Sequence, residues 1–381
     1  MRWDHLRLDD QLAADQQAVG GDTLFPSARR DVALPLIERG AVARTFDTPG
    51  FRGMTFFEVQ AKSVVNRVPE ASRMPFRWTI NPYRGCQHAC AYCFARNSHT
   101  YLDLDAGADF DTKVVVKVNA PELVRKKLAS PGWQGEHIAM GTNVDCYQRA
   151  EGRYRLMPGI IGALKDAANP FSILTKGTLI LRDIDLLAEA AQVTDVGLNV
   201  SVGSVDTELW RSVEPGTPAP GRRLEACATL NERGLRCGVL MGPVIPFLSD
   251  SPAQLEAAVS QIAAAGATQV TPIVLHLRPG IRDWFFGWLR AHHPGLVGRY
   301  LDLYGRSAYA PKAYQARISG QVRELADTYA IGRPRPGSGH GRRPVAVIPA
   351  PGRTRGPEAT ESMAHEPHLL SPAEPEQLTL L

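Results

Sequence analysis

The sequence predicts an α/β protein built on a parallel sheet. Two observations carry the prediction. Six short apolar runs alternate with six amphipathic stretches, and Gly, Pro, Asn or Asp bounds each run. A third observation sets the scale. The chain has 381 residues, 44% hydrophobic and 22% charged, the balance of a globular protein with a sizeable core.

The elements follow in order. The first strand is expected at Phe76–Asn81, and a helix at Ala120–Ala129 follows it. Between them Lys113–Val118 reads KVVVKV, an extra strand-like run. His137–Thr142 precedes the helical pattern Pro158–Ala168, and Phe171–Lys176 precedes Asp183–Ala191. Asp195–Val202 leads to Arg222–Arg233, Arg236–Val244 to Pro252–Gly266, and Gln269–Leu275 to Ile281–His292. Asn119 and Ser251 each stand as a capping residue ahead of a first-turn Pro. Gly234 and Gly266 sit where a C-terminal cap belongs. Strand–helix alternation means crossover connections. Periodicity leaves open whether the sheet is doubly wound or a partial barrel of six βα units. In both, chemistry belongs at the C-terminal strand ends.

Residues 1–45 are polar and poor in periodicity, and are expected to be mobile. Residues 46–300 form the expected core domain and 301–332 a helical segment. Residues 333–381 are dense in Pro, Gly, Arg and Ser, the composition of a disordered tail. The net charge of +4 is too mild to imply nucleic acid or membrane by itself. No apolar run approaches the roughly 20 residues of a membrane helix. The first residues, MRWDHLRLDDQLAAD, lack an apolar signal region, so the cytoplasm is the expected compartment.

Three of the six cysteines fall within eight residues: Cys86, Cys90 and Cys93, spaced C-x3-C-x2-C in the loop after the first strand. Such clustering reads as metal or redox chemistry. Three thiolates on a cubane 4Fe–4S cluster leave one iron with open coordination, as a catalytic centre requires. Pro82 and Gly85 suit a chain turning around an inorganic core. One alternative is zinc with His88 or His99 as fourth ligand, but no second ligand arm exists. Another is a saturated cluster with Cys146 as fourth ligand.

Tyr92 stands just before the third cysteine. This triad resembles the signature of the radical S-adenosylmethionine superfamily. The wider strings TINPYRGCQHACAYCFAR, TNVDCYQ, ILTKGTLILRDIDLL, VEPGTPAPGRRLEA and MGPVIPFLSD resemble its spore photoproduct lyase-like branch. The resemblance runs from about Trp78 to Trp288. It implies a partial (β/α)6 TIM-like barrel, a 4Fe–4S cluster on Cys86, Cys90 and Cys93, and S-adenosylmethionine on the open iron. Reductive cleavage would give a 5′-deoxyadenosyl radical that abstracts hydrogen from a substrate. A ferredoxin or flavodoxin is the kind of electron donor implied.

The family's Gly-Gly-Glu string at the second strand end is absent, since this chain reads Gly141-Thr-Asn-Val-Asp145. Thr142, Asn143 and Asp145 are therefore the candidates for the cofactor's ammonium. Lys176 is the candidate for its carboxylate, Ser201 for the ribose, and Val244 and Ile245 for the adenine. Tyr92 completes the expected cofactor site. Cys146 is a candidate hydrogen-atom donor, by analogy with lyases that repair spore photoproduct. Its competing role is that of a small buried core residue. Cys227 and Cys237 read as core. Arg211 and Glu214 are expected to pair or to line the pocket. His276, Arg278 and the aromatic run Trp284, Phe285, Phe286 and Trp288 are set against an anionic or base-bearing substrate. The competing reading for the aromatic run is core. The function expected is a radical enzyme on an unidentified substrate, with nucleic acid among the classes considered. The alternatives are an iron–sulfur electron carrier or a zinc-stabilised binding module.

Overall fold

A computed structural model describes residues 36–332, apart from 38, 39, 71 and 73. The expected tail, 333–381, and the first 35 residues lie outside that range. Of the segment expected to be mobile, residues 36, 37 and 40–45 are described. Leu36 and Ala41 are buried, and Val42–Arg44 forms the first strand, β1. Their burial against a small apolar cluster supplies the order that local composition does not reveal.

The described residues form two sheets. The larger has seven strands: β3 (Val65–Arg67), β4 (Trp78–Ile80), β7 (Ile138–Met140), β8 (Phe171–Thr175), β9 (Val196–Ser201), β10 (Cys237–Val244) and β11 (Val270–Val274). Their order is β11-β10-β9-β8-β7-β4-β3, and every pair from β4 to β11 is parallel. Apart from the antiparallel edge strand β3, successive strands are neighbours with no reversal of order. A doubly wound sheet needs such a reversal. The architecture is therefore the partial barrel, open between β11 and the β4 side. The central parallel strands β7 and β8 are buried on both faces, which explains near-continuous apolar runs such as Ile138-Ala-Met.

The second sheet has the order β1-β2-β6-β5, with β2 at Thr55–Val59, β5 at Tyr83–Arg84 and β6 at Lys113–Lys117. Its β6 is the extra KVVVKV run. One face joins the main core through Phe56, Val114, Val116 and Tyr83. The other carries a separate cluster with Phe57, Val59, Leu102 and Val115.

The helices are α1 (Ala108–Thr112), α2 (Ala120–Leu128), α3 (Arg149–Tyr154), α4 (Leu156–Asp166), α5 (Ile184–Val193) and α6 (Thr207–Val213). They continue as α7 (Pro220–Glu232), α8 (Pro252–Ala264), α9 (Arg282–His292), α10 (Val297–Tyr304) and α11 (Lys312–Thr328). Each expected helix is present within a few residues. Ser251 closes a capping box with Gln254 at the start of α8. Asn119 does not cap α2. Its side chain bonds both the N–H and the carbonyl of Ala61 instead, tying the helix start to the chain leaving β2. Gly234 and Gly266 adopt the expected positive φ, 77° and 68°. Beyond the barrel, α10 and α11 cover its last strand, burying Tyr300, Tyr304, Ile318 and Val322. Among the described residues no helix is long and apolar enough to cross a membrane.

Candidate functional site

The loops after β4, β7, β8 and β9 meet at the C-terminal ends of the strands. The loop after β4 carries the three cysteines. Short backbone bonds fold it upon itself: Ala89 N–H to the Cys86 carbonyl, and Cys93 N–H to the Cys90 carbonyl, each 3.2 Å. Ala89 takes the left-handed conformation, φ 52°, between the first two cysteines. Gly85 takes φ 81°, and a side chain there would strike the Lys113 carbonyl at 2.7 Å.

Neighbouring elements hold this loop from several sides. Gln87 N–H donates to Gln148 Oε1, Gln148 Nε2 donates to the Gly85 carbonyl, and Ala150 N–H donates to Gln87 Oε1. The Arg96 guanidinium clasps the Cys90 carbonyl at 3.2 Å and Asp111 at 2.9 and 3.0 Å. Gly216 presses against the loop, where an added Cβ would lie 1.9 Å from the Gln87 carbonyl oxygen. Ala91 N–H bonds the Val213 carbonyl and Gly216 N–H bonds the His88 carbonyl. Sequence reasoning missed Gln87, Gln148, Arg96 and Gly216, whose partners lie far along the chain.

Cys86 and Cys90 are buried and Cys93 is half-buried. Burial pushes all three thiols up, Cys90 to about 12. For Cys86, Asp145 and the other two cysteines add to that effect. A metal that displaces the protons is what lets such thiols ionise together. Among the described residues no three His, Cys, Asp or Glu side chains converge on one ion. A cubane binds each thiolate at a different iron, so three clustered thiols around a turned loop fit it without meeting at a point. His88 does not aim at a shared metal. Its Nδ1 lies 3.4 Å from Asp145 Oδ2 and both side chains are buried.

Asp145 is the hinge of the loop after β7. Its carboxylate accepts from Tyr147 N–H at 2.8 Å, Thr175 Oγ1 at 2.6 Å and Lys176 N–H at 2.6 Å. Burial raises this acid, but His88 and these donors outweigh burial and hold it at about 2. With its oxygens so engaged, Asp145 orients the strand ends. Thr142 and Asn143 are half-buried just past β7, and among the described residues their side chains have no hydrogen-bond partner. Gly141 ahead of them has φ 76° and no room for a Cβ against the Leu174 carbonyl.

Lys176 Nζ donates to Ser201 Oγ at 2.8 Å and lies 5.8 Å from the Tyr92 ring. Ser201 in turn donates to the Gly242 carbonyl. The Tyr92 hydroxyl bonds Glu214. Glu214 pairs with Arg223, not with the expected Arg211, which is exposed one helical turn earlier. Burial raises Glu214, but Arg223 and Lys176 overcome it and keep the carboxyl low. Arg223 also donates to the Ser201 carbonyl, so the group from Tyr92 to Ser201 is one buried polar network. Ile245 lines a pocket beside it with Gly203, Trp210, Glu214 and Pro243. Val244 is fully buried in the core that packs α8.

Cys146 is 1% exposed and belongs to the main core with Tyr83, Cys86 and Tyr147. Cys227 and Cys237 are buried, as expected. The aromatic run divides. Phe285 and Phe286 are core and Trp288 donates to the Ser212 carbonyl, while Trp284 is 40% exposed and stacks on Arg96 at 4.6 Å. Arg278 lies over exposed Phe94 at 5.3 Å, and His276 packs on Tyr309 at 4.6 Å.

Comparison with known proteins adds findings of three kinds. The family model of the Radical SAM superfamily matches residues 80–256. An uncharacterized protein of Mycobacterium tuberculosis is 51% identical over 301 residues, 79% of this chain and 88% of that protein. One from Methanocaldococcus jannaschii is 32% identical over 195 residues, 51% of this chain and 69% of the relative. Among solved structures, a mutant spore photoproduct lyase with bound AdoMet and dinucleoside spore photoproduct superimposes with a TM-score of 0.53. Its identity is 14%, over 72% of this chain and 79% of the lyase. A second complex of that lyase with the dinucleoside gives 0.52, at 14% identity, over 73% and 80% of the two chains. At this identity the likeness is one of fold.

Proposed function

The chain belongs to the radical SAM superfamily and is a radical SAM enzyme, and from that premise we propose that Cys86, Cys90 and Cys93 hold a 4Fe–4S cluster beside an S-adenosylmethionine site. The observation that carries this is the cysteine triad, two of its thiols buried and the third half-buried, on a loop clamped at the C-terminal face of the partial barrel. When bound, the two cofactors supply reductive cleavage to a 5′-deoxyadenosyl radical, which abstracts hydrogen from the substrate.

The chain's own residues bind, orient and exclude water. Thr142 and Asn143 offer unengaged acceptors to the cofactor's ammonium. The Lys176 ammonium, steadied by Ser201, faces the carboxylate. Asp145 serves by holding the loop after β7 against Lys176. Tyr92, fixed by Glu214, walls the site. Ile245 lines the adenine pocket, and buried Val244 supports it from behind. Cys146 is a core residue under the site. A ferredoxin or flavodoxin as donor and the cytoplasm as compartment complete the proposal.

As substrate we propose a nucleic acid. Exposed Phe94 and Tyr309, each within reach of a cation or imidazole at the open end, are suited to stacking a base and meeting a phosphate. The lyases that share the fold carry a dinucleoside photoproduct.

Anaerobic reconstitution tests the reading. About four irons and four sulfides per chain are expected. With dithionite and S-adenosylmethionine, 5′-deoxyadenosine should form, and Cys86→Ala, Cys90→Ala or Cys93→Ala should abolish it. Stoichiometric zinc without sulfide would sink the assignment. A loaded cluster without 5′-deoxyadenosine would favour an electron carrier.

A further inference from the structure

The outer face of the small sheet holds charges that the proposed chemistry does not use. Arg84 stands opposite Val115 in the antiparallel β5–β6 pair, so both side chains share one face. Lys117, two residues along β6, shares it too. Arg84 is 6% exposed and Lys117 5%. Among the described residues neither side chain has a carboxylate or hydrogen-bond partner, and Arg84 Nη1 is sealed from solvent. The nearby Asp109 is engaged by Lys113 at 3.0 Å. Burial followed by Arg84 pushes Lys117 down to about 7, and burial alone lowers Arg84. Two buried, unpaired cations side by side are costly unless Lys117 sheds its proton or an anion joins them.

His99 narrows the kind of anion. Its ring lies against Gly85, and its Nε2 donates to the Lys113 carbonyl at 2.8 Å. In the neutral ring that leaves Nδ1 with a lone pair, buried and without a donor. The site thus asks for acceptor oxygens toward two cations and one O–H toward an imidazole.

We infer that Arg84, Lys117 and His99 form a binding site for a hydrogenphosphate-type oxyanion, free or as the monoanion of a small monoester, on the sheet face behind the cluster loop. Arg84 and Lys117 donate to its oxygens, and its P–OH donates to His99 Nδ1. Sulfate carries no such proton at neutral pH and fits less well.

The test is a thermal-shift and calorimetric titration of the full chain with sodium phosphate, sodium sulfate and adenosine 5′-monophosphate, at ionic strength matched with chloride. Phosphate should raise the melting temperature and bind measurably, and sulfate should do so less. Arg84→Met and Lys117→Met should each weaken phosphate binding at least about tenfold. In phosphate-free buffer these variants should be as stable as the parent or more so, because an unpaired buried charge is gone. A shift with phosphate alone marks a free-anion site, and a shift with both phosphate and the nucleotide marks a monoester site. Absence of phosphate binding by the parent, or undiminished binding by Lys117→Met, overturns the proposal. Equal shifts with sulfate overturn the role of His99. Should one variant fail to fold, titration of the parent and of the other variant still decides.

Discussion

At the scale of single residues, Asp145 does the most positioning. One buried carboxylate joins the loop after β7 to the end of β8 and braces His88 between two cysteines. Asp145→Asn keeps the shape but loses the charge that these donors were built around. It should cost about 2 kcal/mol in urea denaturation, with a fall in S-adenosylmethionine affinity read by equilibrium dialysis. Lys117 gives a pH signature. Unfolded, this amine holds its proton to about 10.5, and folded it releases it at about 7. Between those values the unfolded chain binds more protons, so stability rises with pH from about 7 toward 10.5. Denaturation across that window in phosphate-free buffer should show the rise, and Lys117→Met should remove it. The sequence singles out the cysteines, Tyr92 and the strand-end set as candidates, because spacing and strand ends are local. It could not disclose that Glu214 answers Arg223 instead of Arg211, since burial chooses the partner.

At the scale of elements, strands and helices were legible to within a few residues, because each writes its own period into the chain. The failures are tertiary. Asn119 looks like a cap by composition, yet Ala61 takes its amide. Val42–Arg44 has no signal of its own and is ordered by pairing with β2. The turn between α6 and α7 shows the same dependence on distant surfaces. Gly216 there has no space for a Cβ against the cluster loop, whereas Gly132 faces open space. Gly216→Ala should leave the far-ultraviolet circular dichroism unchanged but lower iron and sulfide per chain at least twofold after reconstitution. Gly132→Ala should not. Equal occupancy in both variants would show that the loop yields without cost.

At the scale of the whole molecule, the barrel and the cluster loop differ in what orders them. The six parallel strands are held by pairing along their length and by the main apolar core. The loop is held by side-chain bonds, with three raised thiols at its centre. Removing iron should therefore loosen the two unequally. Hydrogen exchange of apo against loaded protein should show protection lost across residues 85–104 while β7 to β10 stay protected. Uniform loss would mean that the cluster organises the barrel itself. The choice between doubly wound sheet and partial barrel also belongs to this scale. Strand order decides it, and no segment carries strand order in its composition.

The clamp on the cluster loop also bears on how the protein is made. Asn97 bonds the Pro279 carbonyl 182 positions later, Tyr92 reaches Glu214 122 positions later, and Trp284 stacks on Arg96. Synthesis runs from the N-terminus, so the three thiols leave the ribosome well before the surfaces that will hold them. Until α9 is complete the loop lacks the farthest of these partners and is held only by nearer ones, among them Asp111, Gln148, Val213 and Gly216. Reconstitution with iron and sulfide should therefore load the finished chain better than one truncated before α9.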